Sequence, residues 1–275
     1  MEWLVPFSSG LLIGIAAMIW VERVVRKRRG LGEIMSSAIG LRLATGPRVA
    51  ALGGGTGLST LLKGLKGYTR NITAIVTVTD EGGSSGRLRT EWGVLPPGDV
   101  RNCIVALAEN DSALNRILNF RFDKGELAGH SLGNLVLLAV TELAGDFRLA
   151  VEEMNKLLAI RGRVLPVTTE AVTIVGTDAK GNRFRGELEV ACHGRELKKV
   201  HLEPEDAKPL KEVVDAILDA EAIVLGPGSL FTSILPNLLV NGVAEAVREA
   251  DAPRIYVANV MTQPGETEGF SVYDH

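Results

Sequence analysis

Cysteine is nearly absent. The 275 residues hold two, Cys103 and Cys192. Two cysteines cannot build a disulfide framework, and neither lies in a CxxC or beside paired histidines. A Cys-rich zinc site is therefore excluded, and a reducing compartment is expected. Aromatic residues make up only 5% of the chain, and no excess of basic charge exists. The net charge is −3, and residues 30–275 alone sum to −6, so the body has no electrostatic footprint for nucleic acid. HExxH and GxxxxGK followed by Ser or Thr are both missing, which removes the zincin and P-loop readings. Global disorder is excluded by 46% hydrophobic content against 23% charged residues.

What the chain has in quantity is glycine, 31 residues, and one long charge-free run. Trp3 to Val21 carries no charge in 19 positions, and Arg23, Arg26, Lys27, Arg28 and Arg29 come directly after it. As a helix the run would span about 28 Å at ~1.5 Å per residue, close to the hydrocarbon thickness of a bilayer. Trp3 and Trp20 fall at its ends, as interface aromatics do, and the basic flank places the C-terminal side of the run in the cytoplasm. A cleaved signal peptide would carry its basic residues before the apolar run. We therefore expect a transmembrane helix over residues 3–21, a basic juxtamembrane linker over 22–46 and one cytoplasmic domain over 47–275. Gly10 and Gly14 form a GxxxG, which suits a helix-pairing face, and so a homo-oligomer, as well as simple small-residue filler.

The body reads as α/β. Arg48–Gly53 is a short apolar run typical of a buried parallel strand, a glycine turn and a helical spacing come next, and Asn71–Asp80 is rich in β-branched residues. Strand, turn, helix and strand make a βαβ unit, so a Rossmann-like, doubly wound, mainly parallel sheet is expected. The next 90 residues predict helices over Asp99–Asn110, Ser112–Phe120, Ser131–Leu143 and Phe147–Ile160. Residues 163–203 predict a small antiparallel insert, with turns at Lys180–Asn182 and His193-Gly194. Ala207–Ala220 has amphipathic spacing, and Ala222–Leu225 and Arg254–Asn259 read as further strands.

Five motifs could carry chemistry. Gly53–Gly57 (GGGTG) opens a helix, whose free N–H groups and positive dipole end suit a phosphate. It is not the dinucleotide fingerprint, since Leu58 stands where the third glycine would be, which weighs against a nicotinamide-dependent oxidoreductase. Thr79–Arg89 lies after the second strand, where open α/β sheets bind ligands. There Asp80 suits Mg²⁺ or a ribose hydroxyl, Ser84 and Ser85 add hydroxyls beside Gly83, and Arg87 and Arg89 suit bidentate phosphate contacts. In Pro96–Asn102, Asp99 caps the next helix or adds a ligand contact to that cap, with Asn102 one turn on. In Gly129–Asn134, His130 is a structural residue, a general acid–base or a phosphate donor, and Asn134 needs a partner if buried. Gly226-Pro227-Gly228-Ser229 repeats the logic of the first motif, and two such loops on one crevice suit a diphosphate or a nucleotide-sugar.

Taken together, ALGGGTGLSTLLKGLK, TVTDEGGSSGRLR, LPPGDVRNCIVALAE, GHSLGNL, AIVLGPGSLFTSILPNLLV and YVANVMTQPGETEGFSVYDH resemble the YvcK-like gluconeogenesis factor family, itself related to the CofD 2-phospho-L-lactate transferases. The resemblance runs from Arg48 to His275, and the last segment fits the YvcK-like branch better. It implies a Rossmann-like body that binds UDP-sugars such as UDP-GlcNAc. It also implies a role in cell shape and wall synthesis on gluconeogenic carbon, with proteins of cell-wall synthesis as partners. The ligand site it implies comprises Gly54, Gly55, Thr56, Asp80, Ser84, Arg87 and the Gly228–Ser229 loop. Gly57, Gly83, Ser85, Asp99, Asn102, His130, Asn134 and Gly226 stand in the same motifs. From the related transferase, Asp80 would be the Mg²⁺ ligand, and a Mg²⁺-dependent transfer from a nucleotide diphosphate is the alternative activity. The hydrophobic N-terminal run is not a general feature of either branch.

Overall fold

The computed structural model describes residues 38–109 and 113–275. The helix expected over residues 3–21 lies outside the described residues. Among the described residues no single helix is long and apolar enough to cross a membrane. Residues 38–44, within the expected linker, form a short helical segment in the N-terminal unit, 1–45, and residues 46–275 form the second compact unit.

The second unit is organised by a five-stranded parallel sheet in the order β3-β2-β1-β7-β8. Its strands are β1 (Val49–Gly53), β2 (Ile72–Val76), β3 (Arg163–Pro166), β7 (Ala222–Leu225) and β8 (Arg254–Tyr256). β1 is the central strand, and all five of its residues are buried, which is why it reads as an uninterrupted apolar run. From β1 the chain steps one way to β2 and β3, then returns on the other side as β7 and β8. The order therefore switches between β1 and β7, and a crevice opens beyond the carboxyl ends of the strands at that point.

Helices α1 (Gly55–Leu65), α2 (Gly83–Trp92), α3 (Gly98–Leu107), α4 (Ala113–Leu118), α5 (Leu132–Ala144) and α6 (Phe147–Leu157) fill the middle of the chain. α1 packs on α3 and α5 on α6, burying Leu58, Leu62, Ile104, Leu107, Leu137 and Met154. The Ser131 side chain caps α5 by accepting from the Asn134 N–H, and Asp146 caps α6 by accepting from the Leu149 N–H. α8 (Lys211–Leu218) packs against α10 (Val243–Glu249), and α9 (Leu235–Leu239) lies between them in sequence.

The insert is a three-stranded antiparallel sheet, β5-β4-β6, made of β4 (Thr173–Asp178), β5 (Arg183–Arg185) and β6 (Leu197–Glu203). Asp178 closes the hairpin by accepting from the Lys180 and Asn182 N–H groups, each at 2.8 Å.

Several expectations need correction. Arg163–Pro166 belongs to the parallel sheet and not to the insert, because its partner is β2. Glu187–His193, expected as strand, is helix α7. Gly186, at φ 97°, ends the strand, and Glu187 and Glu189 then suit a helix first turn. The strand expected over Asn71–Asp80 stops at Val76, opposite Gly53 and Pro166, where both neighbours end. From Gly83 the second motif is helix α2. The last glycine motif opens onto a five-residue π-helical turn, Leu230–Ile234, before α9.

Candidate functional site

The crevice is walled by the carboxyl ends of β1, β2 and β7. Gly54 is the N-cap of α1 and supplies no side-chain cap, and of the helix's first N–H groups that of Gly55 is met by Asp99. Gly54 is glycine because a methyl group there would sit 2.7 Å from Asp99 Oδ2 and 2.7 Å from Thr77 Cγ2. At Gly57 it would fall on the Pro227 carbonyl, so the two glycine loops touch through backbone. Asn237, fully buried, ties them further: its Nδ2 donates to Gly53 O at 3.1 Å and to Ser233 O at 2.8 Å.

Acidic groups line the floor. Asp80 Oδ1 accepts from the Gly82 N–H at 2.8 Å. Ser85 Oγ accepts from the Gly98 N–H at 3.1 Å, which brings the start of α3, and so Asp99, alongside Asp80. Asp99 keeps a half-buried side chain, yet protein crowds it on most sides. Burial first, and the Asp80 charge second, push its carboxyl up to about 7, while the Gly55 N–H pulls the other way. Glu187 joins them from α7 and was invisible in the sequence. Burial raises its carboxyl to about 8, and the neighbouring Asp80 and Asp99 charges add to the rise. Glu187 Oε2 accepts from the Glu81 N–H at 3.0 Å, and Glu81 Oε2 accepts from the Glu187 N–H at 3.1 Å, a reciprocal clasp between insert and core.

Behind the second motif lies a buried polar chain. Arg101 Nε donates to Asn134 Oδ1 at 3.2 Å and its Nη1 donates to Asn119 Oδ1 at 2.8 Å. That orientation lets Asn134 Nδ2 donate to Ser84 Oγ at 3.1 Å, leaving the Ser84 proton for His130 Nδ1, 2.9 Å away. His130 is 3% exposed. Burial, and next the Arg87 charge, lower its pKa, so the imidazole is neutral near pH 7 and accepts at Nδ1. The expected partner of Asn134 is thus found, and His130 is a structural acceptor for Ser84.

Arg87 is the half-exposed cation of the site. Its Nη1 donates to Ala128 O at 2.8 Å, and it lines a cleft of about 690 Å³ with Glu81, Gly83, Gly86, Thr90 and Leu188. Arg89, expected beside it as a phosphate clamp, lines the same cleft and is also tied to the insert. Its Nη2 donates to Val172 O at 2.7 Å and to Thr173 Oγ1 at 3.0 Å. Asn102 stands half-buried on α3, one turn past Asp99. Thr56 comes after Gly55 in the first turn of α1, where its carbonyl accepts from the Ser59 and Thr60 hydroxyls. At the β7 end, Gly226 (φ 82°) and Gly228 shape the turn, but the Ser229 hydroxyl is turned inward to Glu266 and Gln263. Glu266 and Gln263 carried no local signal of such a role.

The donor set fits a divalent cation of the Mg²⁺ type. Asp80 and Asp99 are two half-buried carboxylates side by side, and the Asp80 charge opposes that of Asp99. Among the described residues no group of three or more His, Cys, Asp or Glu side chains forms a metal cage. An ion here would take Asp80 and Asp99, with its remaining ligands from water and phosphate oxygens, which is the Mg²⁺ habit.

Comparison with known proteins gives consistent matches. The sequence model of the family described as 2-phospho-L-lactate transferase CofD matches residues 49–275. The "Gluconeogenesis factor" of Bacillus subtilis is 50% identical over 230 residues, 83% of this chain and 73% of that protein. The "Putative gluconeogenesis factor" of Nostoc is 52% identical over 235 residues, 85% of this chain but 52% of that protein, so the chain spans about half of that relative's length. A crystal structure of a UPF0052 family member from Bacillus halodurans superposes with a TM-score of 0.81 at 50% identity, covering 84% of this chain and 74% of that one.

Proposed function

The chain belongs to the CofD family, alongside its gluconeogenesis-factor members, and from that premise we propose that it binds a nucleotide-sugar through its diphosphate as a regulatory factor in growth on gluconeogenic carbon. The observation that carries the reading is a glycine-built helix start at Gly54, with no side-chain cap of its own, set beside the Asp80–Asp99 carboxylates, of which Asp99 meets the Gly55 N–H. A diphosphate alone would meet two acids there, whereas a diphosphate with Mg²⁺ would bring the charge those acids lack. When bound, the ion would neutralise the diphosphate. Arg87 would add a guanidinium contact from α2, and the Gly54–Gly57 backbone N–H groups would meet a phosphate at close range. UDP-GlcNAc is the ligand class that the family resemblance implies. The names of the relatives support the gluconeogenic setting. In this reading the residues 3–21 segment holds the domain at the cytoplasmic face of a membrane, near the machinery of wall synthesis.

A second reading is favoured by the family description: a CofD-like transfer of a phospho-acyl group from a nucleotide diphosphate. The two separate on turnover. Calorimetric titration with UDP-GlcNAc, with and without Mg²⁺, tests the first. Saturable Mg²⁺-dependent binding without nucleotide release is expected, and it should be lost in Asp80→Asn. Binding of GDP but not UDP-GlcNAc, with Mg²⁺-dependent release of a nucleoside monophosphate from a diphosphate donor, would replace it with the second.

A further inference from the structure

A glycine turn that comes after a parallel strand and opens a helical turn normally offers its N–H groups to an external anion. At the β7 loop, Gly226–Ser229, the Gly228 N–H, the Ser229 hydroxyl and, just beyond, the Phe231 N–H are already spent on the segment 259–266. Asn259 clasps Gly228 from both sides, accepting from its N–H at 3.1 Å and donating to its carbonyl at 2.9 Å. Glu266 is 0% exposed. Its Oε1 accepts from the Phe231 N–H at 2.7 Å, and its Oε2 accepts from the Ser229 hydroxyl. A glutamate is rarely buried so completely, and no ion pair to Lys or Arg holds it among the described residues. The Glu266 charge also helps burial hold the Tyr256 phenol above its ordinary value. The segment is fastened in turn by the insert, where the Arg195 N–H donates to Gly265 O at 3.2 Å and Gly194 packs on Glu266 without room for a side chain.

We propose that Glu266 is a specificity-determining residue of the crevice: it fills the β7 loop with the protein's own anion and thereby excludes phosphate from that side. It acts through Ser229 and Phe231 and does not itself touch the ligand. The diphosphate is then confined to the β1 side, over Gly54–Gly57 and the Asp80–Asp99 pair. The uncharged, hydroxyl-bearing part of the ligand takes the β7 side. The orientation of the ligand rests on the nucleotide-sugar reading above; the exclusion of phosphate does not.

Glu266→Gln in the full chain removes the charge and keeps the shape. Its amide oxygen can still accept from Phe231 and its amide nitrogen can meet Ser229. Inorganic phosphate and uridine are titrated into wild type, into Glu266→Gln and into Glu249→Gln, an exposed site with the same change in net charge. Thermal melts by circular dichroism confirm folding. Glu266→Gln should bind phosphate about tenfold more tightly than wild type, since a like charge has left the loop, with uridine affinity unchanged. Phosphate affinity equal to wild type in the folded variant, or an equal gain in Glu249→Gln, overturns the proposal. A second measurement uses the unaltered protein: in wild-type crystals soaked with phosphate and with UDP, anion density should appear beside Gly54–Thr56. Density for phosphate within hydrogen-bond reach of Ser229 Oγ overturns the proposal whatever the variant does. Failure of UDP to bind at all counts against the nucleotide-sugar reading, and the inorganic phosphate arm still decides this one.

Discussion

The β1 and β7 loops look alike in sequence and are opposites in chemistry. Both are glycine turns after a buried parallel strand, and both open a helical turn at the same crevice. Each has a carboxylate of the protein nearby. At the β1 loop that carboxylate is Asp99, half-buried and crowded by Asp80 and Glu187, in a cluster of like charges. At the β7 loop it is Glu266, fully buried and satisfied by the loop's own donors. The first arrangement has electrostatic energy to release when a cation arrives. The second is closed and acts as a joint. Motif-level similarity between two anion-type turns therefore says little about whether either is free to bind.

The contrast depends on the two loops being held together, and the largest effect should come from forcing them apart. Gly57→Ala places a methyl group on the Pro227 carbonyl and should cost about 3 kcal/mol by urea unfolding. A cost below about 1 kcal/mol would mean that the loops can separate freely. Asn237→Ala removes the amide that bridges Gly53 and Ser233, and should cost about 2 kcal/mol in the same measurement. Arg87→Ala, at a half-exposed cation of the β1 side, should lower UDP-GlcNAc affinity about tenfold while leaving stability nearly unchanged. Equal affinity would detach the second motif from the site.

The last effect is electrostatic and has a definite sign. Asp99 rises from 3.8 to about 7 on folding and Glu187 from 4.5 to about 8. The folded protein therefore holds these protons more tightly than the unfolded chain. The stabilisation is complete below about pH 4 and is lost as pH rises toward 7 for Asp99 and 8 for Glu187. Scanning calorimetry should show the Tm contribution of these two groups declining between pH 5 and 8. Asp99→Asn should flatten that decline. Mg²⁺ should raise Tm more at pH 8 than at pH 5.5 in wild type, and equally at both in Asp99→Asn. A Mg²⁺ effect independent of pH in wild type would break the link between the acidic cluster and the ion.

Much of this was legible in the chain. The apolar runs at β1 and β7 and the glycine turns after them announced a parallel sheet with a crevice at the carboxyl ends, because a strand buried on both faces has no polar alternation to hide it. Asp80 was legible as a polar group beyond a strand end, Ser84 and Arg87 as polar groups in the motif after it, and Asp99 as a residue of a helix start. The tie from Arg89 to Val172 and Thr173 was not legible, since nothing in a charge pattern shows which distant acceptor an arginine will meet. The α7 helix was misread because a segment as short as Glu187–His193 holds only about two turns, too few to separate helical from alternating spacing, and the break at Gly186 depends on a backbone angle.

Local composition and spacing were enough for the α/β class, the first βαβ unit and the acid beyond β2, since each comes from burial and backbone freedom within a few residues. The roles of Glu187 and Glu266 were settled by folding alone. Glu187 meets Glu81 across 106 residues, and Glu266 meets Phe231 across 35. Whether a carboxylate attracts a cation, clasps an insert or fills an anion turn depends on which donors and charges surround it. In these cases those neighbours come from distant parts of the chain.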